Sequence, residues 1–376
     1  MKLELAKVRT TVEVAGTFAS DGKLNTVWSF GYVEVKGNKG RIITTNGDMG
    51  FEAPFEVKEN DVKEDIKFLI PMDRFKNLIK DFPQDEMSLQ FDDKNQIIIK
   101  GKKLKYTLPT MKAEDFSFLT LEKAINKFSV PSAKLADAFE RVKLCIASDR
   151  GENAVFKCAY LSIDEEGSQA DIVSTDKRRV GYYRLPKEDG LKSKGGKVSA
   201  LIPEFIVSNI LPLLKNYSLD VQIAVNDKTI EFTFANGFVI TSRLVDGKFP
   251  EWNKLISLNM NEHSMTVIKN DLLNALKRCE GVLKDNIVKI EFDEKNITIT
   301  GAEADRGSCE EHVDIINKDK FKNSFFYNLV YLMDGLKVAN TDEVVLRVSE
   351  SNKPLGVKEL HGNENYIYAM MAITSK

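Results

Sequence analysis

The octapeptide FKNLIKDF at residues 75–82 sets Phe75, Leu78, Ile79 and Phe82 at i, i+3, i+4 and i+7, the spacing of one apolar helix face. Leu329, Leu332, Met333 and Leu336 repeat that pattern, and Ile206, Ile210, Leu213 and Leu214 keep a related one. A few residues past each stretch comes a strictly alternating run: Met87-Leu89-Phe91, Val221-Ile223-Val225 and Val344-Leu346-Val348. Period two is the signature of a strand with one buried face. Upstream of each lies another amphipathic stretch: Leu5-Val8-Val12-Ala15, Leu135-Phe139-Val142-Ile146 and Leu272-Leu276-Cys279-Leu283. The first carries β-branched Val8, Thr10, Thr11, Val12 and Val14, residues of low helix propensity. Equivalent positions are about 120–140 residues apart, a domain-sized offset. The pattern predicts an α+β chain of three tandem copies of one domain, with boundaries near 1–126, 127–260 and 261–376.

Local signals agree. Phe128 and Val130 alternate into Pro131-Ser132, a helix entrance, and Met265-Val267 precedes Asn270, read as a helix cap. Turn residues at 36–38, 92–95, 226–227, 246–247 and 293–296 separate short alternating runs, as antiparallel sheets require. The 376 residues suffice for several cores, and 43% hydrophobic with 29% charged residues is a globular composition. No apolar run is long enough to span a bilayer and no signal peptide is visible, so a cytoplasmic protein without a membrane partner is expected. Cys145, Cys158, Cys279 and Cys309 lack CxxC spacing and read as buried packing thiols in a reducing compartment. Formal net charge is −2, so attraction to a polyanion has to come from local segregation of charge.

Catalytic patterns are thin. His263, His312 and His361 are far apart, with no spacing that would gather a metal. The glycine-containing stretch 190–197 fails the phosphate-loop pattern because Gly196 stands where the lysine belongs. No cofactor, metal or catalytic residue is expected, which favours a binding or scaffolding role.

Three segments carry a family resemblance: TSRLVDGKFPEW at 241–252, STDKRRV at 174–180, and YTLPTMKAEDF at 106–116. The chain is similar to the bacterial DNA polymerase III sliding clamp, the beta subunit, along its whole length and most closely from Thr107 to Ile256. The resemblance implies three DNA-clamp domains, each with two helices packed on antiparallel sheets, forming a half ring that dimerises head to tail. It implies a replication processivity factor that does no chemistry itself and relies on a separate ATP-driven loader. Six helices of about 10 Å diameter side by side enclose only about 9 Å, whereas twelve leave roughly 28 Å. One chain therefore cannot encircle a duplex and a dimer can. Sheets are expected on the outside, running edge to edge across domain boundaries.

The same resemblance assigns residues. The dimer seam would set Arg74, Lys103, Lys105, Phe75 and Tyr106, with Lys102, against Glu303, Glu310 and Glu311, with Asp305, around Val282 and Leu283. Contact with double-stranded DNA would be non-specific and made by Lys23, Lys80, Lys134, Arg141, Arg150 and Lys277, with Lys7, Arg9, Lys143 and Arg278 on the same helices. Asp73, Glu204 and Phe205 stand where many relatives are basic, which lowers the expected positive charge.

Partner peptides from the replicative polymerase, the clamp loader and repair proteins would enter a groove between the second and third domains. Its wall would comprise Phe156, Thr175, Lys177, Arg178, Arg179, Val180, Pro250, Lys254, Leu255, Tyr331 and Pro354, with the tail Met370, Met371, Ala372 and Ile373. Aliphatic and methionine side chains suit apolar anchors, and Arg179 and Tyr331 could fix a peptide backbone. Lys177-Arg178 replaces a Gly-His pair usual in the family, and Ala372 stands where a proline is common. The alternatives are a clamp-like regulator that no longer encircles DNA and an α+β modifying enzyme, which would need an acid/base pair the sequence does not show.

Overall fold

The computed structural model describes residues 1–60, 65–92, 96–121, 123–148, 151–194, 196–216, 219–257, 263–317, 320–349, 354–362 and 364–373, the side chains of Asp92, Lys254, Leu255 and Ser257 excepted. Seven helices are described: α1 (Leu5–Phe18), α2 (Met72–Lys80), α3 (Ser132–Lys143), α4 (Glu204–Asn216), α5 (Trp252–Ser257), α6 (Lys269–Glu280) and α7 (Leu329–Lys337). Among the described residues, the strand pairs whose register is defined are antiparallel.

One strand pairing written three times establishes the repeat. The strand before the first helix of each copy pairs with the strand after the second: Lys2 opposes Ser88, Pro131 opposes Asp220, and His263 opposes Val348. The strand after the first helix pairs with the strand before the second: Phe30 with Pro71, Cys158 with Pro203, Ile287 with Asn328. Helix starts are tied down in the same way. Leu5 N donates to Asp85 O at 2.8 Å, Lys269 N to Asp342 O at 2.8 Å, and Ser132 Oγ to Leu219 O. Each bond pairs a polar group at a helix start with the turn before the same strand.

The helices bury the faces their spacing announced. Leu5, Val8, Val12 and Ala15 are buried on α1, Ile206, Ile210, Leu213 and Leu214 on α4, and Leu329, Leu332, Met333 and Leu336 on α7. Tertiary burial thus overrides the low propensity of the α1 sequence, each large apolar side chain contributing about 1.5–3 kcal/mol. Two expectations need correction. The apolar stretches run past the helices: Phe82, Ile146 and Leu283 are buried, yet α2, α3 and α6 end at Lys80, Lys143 and Glu280. Turn bonds such as Ile146 N to Lys143 O, 3.0 Å, fold each side chain back onto the core. Asn270 is not a cap. It lies inside α6, whose N-cap is Ile268, an aliphatic side chain with nothing to accept a bond; the Lys269 N–H goes instead to Asp342 O. His263 and His312 lie on strands. The turn at 93–95 lies outside the described residues.

Compactness divides the chain into two units, Met1–Ser132 with Asn216–Leu244, and Ala133–Lys215 with Val245–Lys376. The cut passes through the second copy because sheets continue across the expected boundaries. In the first unit Val239–Ser242 pairs with Met49–Glu52, so eight strands follow one another from Asn126–Pro131 to Ile66–Pro71. In the second unit Arg179–Tyr183 pairs with Tyr366–Met370 inside an eight-stranded sheet running from Val198–Pro203 to His263–Ile268. Each unit also carries a four-stranded sheet, with Lys105–Pro109 at one edge in the first and Gly307–Asp314 in the second.

A buried ion network holds α3 of the second unit. Arg141 is 2% exposed, bonded through Nε to Asp137 at 2.6 Å and through Nη1 to Glu359 at 2.8 Å, with its guanidinium 4.9 Å from the Tyr366 ring centre. Tyr183 Oη donates to the second Asp137 oxygen at 2.8 Å. Arg141 was expected to face DNA; that assignment is corrected, since the side chain is enclosed. Removing the cation strands two carboxylates, one of them buried, so Arg141→Ala should cost about 3–5 kcal/mol in urea unfolding. A loss below about 1 kcal/mol would show that the network carries little.

Candidate partner-binding site

The segment 174–180 forms the end of one strand, a tight turn and the start of the next, and the carboxy-terminal strand zips against it. Met371 N donates to Arg178 O at 2.8 Å, and Ile373 N to Phe326 O at 2.7 Å, so the tail is fixed on both sides. Thr175, Lys177, Arg178, Arg179, Val180, Pro354, Ala369, Met370 and Met371 line one small cavity of about 30 Å³. Eight of these nine were expected from sequence; Ala369 was missed although it alternates with Met371 on the same strand face. The cavity has room for about one water. An apolar anchor therefore has to displace Met371, which is 41% exposed and flexible by nature.

Arg179 holds the wall rather than waiting for a ligand. Its Nε meets Asp176 at 2.9 Å, its Nη1 meets Asp334 at 2.6 Å, and its guanidinium stacks 4.2 Å from the Tyr331 ring centre. Burial works against its charge, but the surrounding Tyr368, Cys145 and Asp334 outweigh it and hold the guanidinium pKa above the usual value. Tyr331 is placed by its backbone carbonyl, which accepts from Tyr368 Oη at 2.6 Å, and its hydroxyl accepts from Arg178 Nη1 at 3.4 Å. Asp334 sits at i+3 from Tyr331 on α7, a helical relation that sequence reasoning could have used.

Lys177 takes φ +73°, the left-handed region in which glycine pays nothing. Its Nζ bonds to Glu152 at 2.7 Å and lies 4.7 Å from the Phe156 ring centre, which brings Phe156 beside the cavity without lining it. Pro250 is not in this cavity; it lines a separate groove with Trp252. The Lys254 and Leu255 side chains lie outside the described residues. Ala372 and Ile373 continue past the cavity, Ile373 bridging to Phe326.

The remaining assignments separate into exposed and enclosed. Lys80 on α2 and Lys277 on α6 are exposed, Lys23 pairs with Asp21 at 2.8 Å, and Lys134 pairs with Asp189 at 3.1 Å. Lys7 pairs with Glu4 and Glu56, and Arg278 forms a two-pronged pair with Glu311. Arg150 lies outside the described residues. At the expected seam Arg74, Lys103, Lys105 and Tyr106 are exposed, Tyr106 by 47%. Phe75 and Leu283 are each only 4% exposed and belong to the chain's own cores, which corrects their assignment to a dimer surface. Phe75 packs among Val8, Val12 and Ile70, and Leu283 lies over Gly301. Val282 is half-buried, Glu303 accepts from Asp285 N at 2.8 Å, and Glu310 bonds His312 at 3.2 Å. Cys145, Cys158 and Cys279 are buried, and burial pushes the Cys158 thiol up to about 12. Among the described residues, no group of acidic, histidine and cysteine side chains could hold a metal, and no helix is long and apolar enough to cross a membrane.

The triplicated α+β domain, with its strands paired edge to edge, defines a multidomain scaffold, and the small tail-lined recess is its candidate partner site. Sequence models of the DNA polymerase III beta subunit match its N-terminal domain at residues 5–120, its central domain at 129–251 and its C-terminal domain at 258–374. A beta sliding clamp from Rickettsia felis is 23% identical over 390 residues, covering 98% of both chains, and one from Salmonella typhimurium is 20% identical, covering 88% of both. The fold is shared with the crystal structure of a DNA polymerase sliding clamp from Pseudomonas aeruginosa, at a TM-score of 0.91, 19% identity, and 100% and 99% coverage of the two chains. The chain belongs to the DNA polymerase III beta subunit family, and is a DNA sliding clamp, a non-catalytic replication subunit.

The strain at Lys177 is testable. Lys177→Gly should not lower the urea midpoint, whereas Lys177→Val, β-branched at the same positive φ, should cost about 1–2 kcal/mol. Equal losses for both would mean that the Glu152 bond, and not the backbone, sets the energy.

Proposed function

We propose that two copies of this chain close head to tail into a ring around duplex DNA and tether the replicative polymerase, the clamp loader and repair proteins through the recess at Val180 and Met371. The domains at 1–126, 127–260 and 261–376 are the repeating parts of that ring, and the protein works in the cytoplasm on the nucleoid. The observation that carries the closure is the pair of open sheet edges. Lys105–Pro109 presents Lys105, Tyr106 and Thr107 to solvent, and Gly307–Asp314 presents Gly307, Ser308, Glu310 and His312. Open edges invite a further strand, and a lysine-rich edge complements an acid-rich one. A heterologous contact of this kind closes into a ring when its rotation allows. With Phe75 and Leu283 inside their own cores, the seam's apolar part falls to Tyr106 and Val282.

DNA is held loosely, by exposed lysines and without base reading, as sliding demands. Lys80 and Lys277 are the favoured contacts, with Lys23 and Lys134 sharing their charge with Asp21 and Asp189. The family's clamp reading supports encirclement over a regulator that has lost it.

Three measurements test this. Sedimentation should give twice the chain mass, shifting to the single mass in a Tyr106→Glu, Val282→Glu variant; a monomeric wild type would overturn the ring. Loaded protein should stay on nicked circular DNA and leave when the circle is cut, whereas equal retention on linear DNA would contradict topological tethering. Lys80→Glu with Lys277→Glu removes four contacts from a two-copy ring and should lower the slope of log affinity against log salt by roughly four. An unchanged slope would remove both lysines from the contact.

A further inference from the structure

A second depression on the same sheet face, about 650 Å³, has no role in the reading above. Val180, Tyr182 and Arg184 alternate along the Arg179–Pro186 strand and so share a face, with Val180 in the small recess and Tyr182 and Arg184 in the larger groove. At about 3.3 Å per residue, the two centres are roughly 13 Å apart, about four residues of extended peptide. Trp252 from α5 stacks on Tyr182 with ring centres 5.0 Å apart, and Tyr160 stacks on Phe249 at 4.8 Å, giving the groove flat aromatic walls.

The polar groups are arranged unevenly. Asp171 is satisfied from within, accepting from Tyr182 Oη at 2.8 Å and from Gln169 Nε2 at 2.9 Å, and burial lifts its carboxyl above the usual range. Arg184 spends only Nε, on Tyr182 Oη at 3.0 Å, and among the described residues its Nη groups have no partner. Lys358 lines the same groove and makes no ion pair within 4 Å among the described residues; burial and then the charge of Arg347 push its ammonium down from the usual value. Two half-served cations thus stand in an aromatic groove that continues the partner recess. Glu251 on the rim and Asp171 in the floor oppose a continuous phosphate backbone.

We propose that this groove takes an acidic peptide segment, the continuation about four residues beyond the apolar anchor of the partner peptide. Carboxylates pair with Arg184 and Lys358 while the intervening chain lies across Tyr182 and Trp252. The inference rests on the partner-recess reading, and its test separates the two.

Full-length protein is titrated into six fluorescein-labelled synthetic peptides that share a Leu-Phe anchor and carry four flanking Glu, Gln or Lys residues at one end or the other. The Glu form is expected to bind about tenfold tighter than the Gln form, the combined worth of an exposed pair at Arg184 and a half-buried one at Lys358. Arg184→Glu with Lys358→Glu should erase the gain and leave the Gln form's affinity unchanged, and the two residues changed to Gln should erase it in part. Equal affinities of the Glu and Gln forms for the wild type would overturn the groove and leave the recess standing. Absence of binding by every peptide, or binding indifferent to Met371→Asp, would overturn the recess and the groove with it. A fluorescent thymidine oligonucleotide that binds the wild type and not the Arg184→Glu, Lys358→Glu protein would assign the groove to single-stranded nucleic acid and overturn the proposal.

Discussion

A β-sheet edge carries a row of unsatisfied backbone N–H and C=O groups, and a repeated domain brings that problem once per copy. In each unit of this chain the difficulty is met by pairing one copy's edge with the next: Val239–Ser242 with Met49–Glu52, and Arg179–Tyr183 with Tyr366–Met370. Hydrogen bonds of this kind fix register as well as proximity, because a one-residue slip would turn every side chain to the wrong face. The small recess at Val180 and Met371 depends on that register. Val180 opposes Ala369, and Arg179 opposes Met370, so wall and tail meet through the pairing itself. The ion pairs of Arg141 and Arg179 then secure helices against the sheet. They act on top of the backbone pairing and do not replace it.

The helix faces and alternating strands were legible because burial imposes periods of 3.6 and two that survive heavy substitution. Ile206, Ile210, Leu213 and Leu214 announce α4 although Pro212 lies inside it. Helix ends were less legible. Phe82, Ile146 and Leu283 keep the rhythm of their helices after the backbone has left the helix, because burial rewards the side chain regardless of the local dihedral angles. The α6 cap was misread for a related reason. Asn270 is the residue type that caps, but the helix begins one residue before it, with Ile268 in the cap position.

Site residues divide along a similar line. Short segments such as 174–180 and 370–371 carry their neighbours with them, and the structure gathers most of them around one recess. Arg141 misled because a basic residue on an amphipathic helix reads the same whether it meets phosphate or carboxylate; Glu359, its deciding partner, is 218 residues away. Phe75 and Leu283 misled in the opposite sense, as apolar residues beside exposed charges whose cores close over them. Asp334, Tyr368 and Lys358 were invisible as site residues, since their roles arise only when distant strands are laid side by side.

The seam between the first two copies has an implication for the connector that joins them. Residues 110–125 span the gap in the polypeptide, but the pairing of Met49–Glu52 with Val239–Ser242 is made by strands elsewhere in sequence. Cutting the chain in that connector would leave the interstrand bonds untouched, so the two pieces should remain associated and migrate together until denatured. Covalent continuity there serves assembly and effective concentration more than cohesion. Tolerance of insertions should follow the same logic, generous at exposed connector positions such as Thr120 and Lys123, lower at the buried Phe116, and absent in the strands that carry the join.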